Sequence, residues 1–94
     1  MIGILNIQIK FPGCKSLKEK RSLLKPLQNR LHREFNVSVA EMDFQDLRSD
    51  TMIAVAMIGN DKAHLERSLD TILKWVESQY PAGQVYDNQI ELIF

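Results

Sequence analysis

Cysteine occurs once in this chain, as Cys14, which excludes an internal disulfide, a paired-cysteine redox motif and an all-cysteine metal centre. A lone thiol fits a reducing compartment. No apolar run approaches the ~20 residues needed to cross a bilayer, so no membrane partner is expected. The opening residues Met1 to Asn6 lack the basic start, apolar stretch and small-residue cleavage site of a signal peptide, and a cytoplasmic location follows as the expectation. Net charge is absent too, at +0 for pH 7.

That zero hides an asymmetry. Residues 1–34 hold eight basic and two acidic side chains, whereas residues 35–94 hold four basic and ten acidic ones. The chain is an electric dipole in sequence, a property that acts on association far more than on fold. Its 94 residues, 45% hydrophobic and 26% charged, suit one soluble globular domain with a thin core.

The pattern of apolar residues predicts the elements. Leu5, Ile7, Ile9 and Phe11 alternate with Asn6, Gln8 and Lys10, a strand over 1–11 that Pro12-Gly13 ends. Ser16-Leu17-Lys18-Glu19 reads as a capping box, with the Glu19 carboxylate reaching back to the Ser16 amide. A helix over 17–35 then places Leu17, Leu24, Leu27, Leu31 and Phe35 on one face. Pro26 faces solvent within it, as either a bend or a break into two helices. Lys20 falls inside the apolar arc and is expected to snorkel past the sheet edge.

Strands are predicted over 37–42, 51–58 and 85–94, with a second helix over 61–79 that stacks Leu65, Leu69, Ile72 and Val76. Leu5, Ile7, Leu24, Leu31, Leu69 and Ile72 are the expected core. The order βαββαβ, with right-handed crossovers, gives an α+β ferredoxin-like fold: a four-stranded antiparallel sheet with two helices on one face. Strands one and three are then central. Strand three is apolar in both phases, Ile53, Val55 and Met57 against Met52, Ala54, Ala56 and Ile58. Only one phase can meet the helices, so the other needs a cover, and a second copy of the chain is the simplest one. A homo-oligomer is expected.

Several activities known on this scaffold lack their residues. The loop Phe11 to Ser16 has no arginine to cradle an acylphosphatase's phosphate and no second cysteine for a metal chaperone. Strand three has no aromatic, and the polar phase of strand one offers only Asn6, Gln8 and Lys10, so base stacking of the RNA-recognition-motif kind lacks its residues. Cys14 sits near a helix start beside Lys15 but has no partner histidine at a fixed spacing, and it is read as a plain loop cysteine. His32 and His64 each stand alone on polar helix faces and are read as solvated. In the acidic run Glu41, Asp43, Asp46 and Asp50, the first two are expected on one strand face; divalent-ion sites are usually richer in ligands, and a solvated edge is the favoured reading. No catalytic constellation is visible, and neither metal nor cofactor is expected.

The positive signal is a basic stripe. Lys18, Arg21, Lys25 and His32 recur at i, i+3, i+7 and i+14, and Lys15 extends the row at its amino end. Cations held on one rigid helix can track a phosphate backbone, where counterion release supplies the affinity. Lys15, Lys18, Arg21 and Lys25 are therefore the expected RNA-binding residues. Their field is undiluted only if the acidic half of the chain lies elsewhere in space.

The runs Ser16-Leu17-Lys18-Glu19-Lys20-Arg21-Ser22-Leu23-Leu24-Lys25-Pro26 and Val39-Ala40-Glu41-Met42-Asp43-Phe44-Gln45-Asp46-Leu47, with Gly59-Asn60-Asp61 before the second helix, resemble the YlxP-like family of small bacterial proteins (domain of unknown function 503). The resemblance runs nearly end to end and implies a ferredoxin-like fold. Family members are often encoded among translation genes, beside initiation factor two and ribosome-binding factor A. The resemblance thus implies work near the ribosome, with ribosomal RNA or a ribosomal subunit as partner. Members often carry a tryptophan after the QDL-type motif, where this chain has Arg48. The alternative is a homo-oligomeric scaffold or small-ligand regulatory domain built on the exposed sheet face.

Overall fold

Alternation of apolar side chains makes β1 (Ile2–Lys10) a strand with Leu5, Ile7 and Ile9 fully buried on one side. The structure, a computed structural model that describes residues 1–93, continues with α1 (Leu17–Phe35), β2 (Ser38–Asp43), β3 (Asp50–Ile58), α2 (Lys62–Ser78) and β4 (Val85–Ile93). The strand order is β2-β3-β1-β4 with every neighbour antiparallel, as the ferredoxin-like reading requires. Observed element ends fall within a residue or so of the expected ones, apart from Phe94, which lies outside the described residues.

Both helices cover one sheet face. Leu24, Leu27 and Leu31 of α1 and Leu69, Ile72 and Val76 of α2 are buried in one cluster with Leu5, Ile7, Ile9, Ile53 and Val55. Gly3 lies against α2: a Cβ there would be 2.8 Å from Leu69 Cδ1, so that side chain would have to shift to admit one. Pro26 is exposed within one continuous α1, so the helix accommodates the lost hydrogen bond without breaking. At the far end of α1, Arg30 lies over the Trp75 ring at 5.0 Å and donates to Gln79 Oε1 at 2.9 Å, joining the two helices.

The phase of β3 is decided by this packing. Ile53 and Val55 meet the helices, leaving Met52, Ala54, Ala56 and Ile58 on the open side. Two register shifts bend the edge strands, one at Met42 in β2 and one at Tyr86 in β4. The first has a consequence for the acidic run. Glu41 pairs with Ile53 and so points to the helix side, whereas Asp43 pairs with Met52 and points to the open side. The expectation that Glu41 and Asp43 share a face is corrected by that one extra residue.

Candidate nucleic-acid interface

The start of α1 is set by Ser16, whose backbone is extended and whose hydroxyl accepts from the Glu19 amide at 3.0 Å. The second half of the expected capping box differs. Glu19 Oε2 accepts from the Lys15 amide at 3.1 Å, one residue earlier than the Ser16 amide, and so ties Lys15 to the first turn. With Leu24, Leu27 and Leu31 locked into the core, the outer side of the same turns must present Lys18, Arg21 and Lys25. All four cations, Lys15, Lys18, Arg21 and Lys25, are exposed. The ion pairs among the described residues, Lys20–Glu41 and Lys74–Asp70, involve none of them.

Lys20 does not snorkel. It is 1% exposed, and its ammonium donates to Glu41 Oε2 at 2.8 Å, Phe44 O at 2.8 Å and Asp50 O at 3.1 Å. Three acceptors match the three N–H bonds of an ammonium, which is what makes the burial of a lysine tolerable. The β2–β3 connection folds over the beginning of α1, so the apolar arc there meets a loop instead of a free edge. Phe44 adopts φ 63°, and Asp43 Oδ1 accepts its amide at 2.8 Å; that tight turn aims the Phe44 carbonyl at Lys20.

The same latch sorts the acidic run. Glu41 alone faces α1, and its Oε2 is already engaged by Lys20 and, at 2.6 Å, by the Thr51 hydroxyl. Asp50 accepts from the Tyr86 hydroxyl at 3.1 Å across the sheet, and the Tyr86 ring lies 5.2 Å from Lys10 Nζ. Burial, then the hydrogen bond and charge of Asp50, then Asp87, push the Tyr86 phenol above its ordinary 10.0. Glu66, Asp70 and Glu77 lie on α2, and Asp87 and Glu91 on β4. The acidic half of the chain is therefore neither wholly remote from the stripe nor paired with it.

Arg21, Leu24, Lys25, Gln28 and Glu41 line a cleft of about 180 Å³ between α1 and β2. Gln28 follows Arg21 and Lys25 at helical spacing on α1, whereas Glu41 enters the site only because β2 packs beside α1, and no spacing in the sequence links it to the stripe. His32, expected to continue the row as a solvated side chain, is exposed and in addition places Nδ1 2.7 Å from Val37 O, so Nδ1 carries the proton and donates. Its ring holds the α1–β2 turn and is not free in the way the four upstream cations are. Cys14 is buried, with its thiol 3.6 Å from Ser16 O.

Residues 2–90 match the family described as "Protein of unknown function (DUF503)". The chain is also 32% identical over 78 residues to "Uncharacterized protein YlxP" of Bacillus subtilis (strain 168), an alignment covering 83% of this chain and 85% of that one. The two runs that carry the resemblance meet in space at Lys20, Glu41 and Phe44. The chain belongs to the DUF503 family.

Proposed function

We propose that this protein is a non-enzymatic RNA-binding module that engages ribosomal RNA or a ribosomal subunit through the exposed cations of α1. One observation carries the reading: Lys18, Arg21 and Lys25 are exposed beside the buried face of α1, with Lys15 just before its first turn, and no carboxylate among the described residues pairs with them. Such a row tracks phosphates as a rigid unit, with affinity from counterion release and little base stacking. The test replaces Lys18, Arg21 and Lys25 together by glutamine and follows the protein through a sucrose gradient of cell extract. The parent is expected to travel with ribosomal subunits and the triple variant to remain at the top. Equal cofractionation of the two would remove the stripe from the reading.

A second reading, self-association through the open sheet face, has its own observation. Ile58 is 82% exposed beside exposed Ile2 and Ile93, and Met42 is exposed toward the other end of the sheet, with Ile4, Ala54 and Ala56 between. A two-fold contact would match this apolar patch with its own copy. The two readings use opposite sides of the molecule and are compatible.

A further inference from the structure

We infer that the cleft beside the stripe is a guanine-selective subsite, taking one unpaired base of an RNA strand whose phosphates lie along α1; this rests on the RNA-binding reading above. Glu41 is a carboxylate with its two oxygens in different situations. Oε2 is fixed by Lys20 at 2.8 Å and Thr51 at 2.6 Å, whereas Oε1 has no hydrogen-bond partner among the described residues, on a side chain that lines the cleft. An acceptor is thus held in place before any ligand arrives, which lowers the ordering cost of binding. Lys20 compensates its charge, so the cations Arg21 and Lys25 at the rim face no net anion.

The donors and acceptors of the cleft then choose among the bases. Glu41 Oε1 accepts only, and Gln28, Arg21 and Lys25 around it bring donors. Guanine offers two adjacent donors on its Watson–Crick edge, N1–H and the N2 amino group, followed by the O6 acceptor. The open Oε1 accepts from both donors in a bifurcated arrangement, and O6 falls to Gln28, whose amide nitrogen donates. Uracil presents one N–H between two carbonyl oxygens that the carboxylate repels. Adenine and cytosine offer a single amino group beside a ring nitrogen lone pair. Leu24, buried at the cleft floor, supplies an apolar surface for the ring plane.

The experiment leaves the protein intact and changes the RNA. Fluorescence anisotropy compares a short labelled uridine oligomer with versions holding one central guanosine, inosine or adenosine. The guanosine oligomer is expected to bind about tenfold more tightly than the plain uridine and adenosine oligomers, the range of one well-placed base contact. Inosine, which lacks the N2 amino group, should fall between guanosine and adenosine. Gln28→Ala should narrow the guanosine advantage. Equal binding of all four oligomers overturns the guanine assignment and leaves the stripe standing. A guanosine advantage that survives undiminished in Gln28→Ala places the selectivity elsewhere and overturns it as well. No binding of any oligomer removes both readings.

Discussion

The Lys20 ammonium and the Glu41 carboxylate meet at 2.8 Å beneath the β2–β3 connection, and this pair is the hinge of the whole candidate site. Lys20 comes from the helix that bears the stripe, and Glu41 from the strand that walls the cleft. Joined to the Phe44 and Asp50 carbonyls, the pair fixes α1 against β2 and turns a loop of acidic residues into a defined surface. Ionic contacts of this kind act mainly by being costly to break.

Lys20→Met should destabilise the domain by about 3 kcal/mol, because it strands a largely buried carboxylate and two carbonyls. Adding Glu41→Leu to it should recover part of that loss, since the stranded charge is then gone. Urea unfolding of the two single variants and the double variant measures the coupling. A double variant less stable than the sum of the singles would show that the pair is not the latch.

Lys18, Arg21 and Lys25 replaced together by glutamine should leave stability nearly unchanged, because all three are exposed and outside the ion pairs. Binding to single-stranded RNA should weaken, and the slope of log affinity against log salt should become shallower by about 2 if all three side chains contact phosphates. Thermal melts and salt titrations read these two quantities separately. A clear drop in melting temperature would mean that the stripe helps hold the helix.

Ile58→Asp tests the open sheet face. At 82% exposure the side chain contributes little to the monomer's core, so stability should shift by no more than about 0.5 kcal/mol. In sedimentation velocity at high concentration the parent should run as a dimer or larger and the variant as a monomer. A monomeric parent would end the self-association reading.

Alkaline titration tests the two phenols whose ionisation the fold opposes. Burial holds the Tyr80 phenol above its ordinary 10.0, with the Arg30 charge offsetting part of the rise, and Tyr86 is raised as well. An unfolded chain therefore loses these protons at lower pH than the folded one. Their contribution to stability is complete below about pH 10 and is lost as pH rises through the folded values. Tyr80→Phe should flatten the fall in stability above pH 10, measured by urea unfolding across an alkaline series. An unchanged slope would mean that Tyr80 ionises as freely in the fold as outside it.

Much of the architecture was legible because it is local. Period-two alternation marks β1, the Ser16 cap and the leucine spacing mark α1, and Asp61 marks the start of α2, whose His64 amide it accepts at 3.2 Å. The order of elements then leaves few topologies, and the ferredoxin-like sheet follows from the handedness of crossovers. Basic residues at helical spacing also declare a stripe without help from tertiary structure, since any helix that buries its leucines must expose them.

What the chain could not declare depends on contacts between distant segments. Lys20 reads as a snorkelling side chain until the β2–β3 connection supplies its three acceptors. Glu41 and Asp43 read as neighbours on one face until the extra residue at Met42 turns them apart. Both phases of β3 are apolar enough to be buried, and only the docking of Leu24, Leu31, Leu69 and Ile72 decides that Met52, Ala54, Ala56 and Ile58 stay outside. Local propensity and periodicity thus determined which segments become helix and strand. Tertiary packing alone decided which polar groups meet and which apolar surface is left open, because a buried charge or an uncovered face is defined by its neighbours and not by its own residue type.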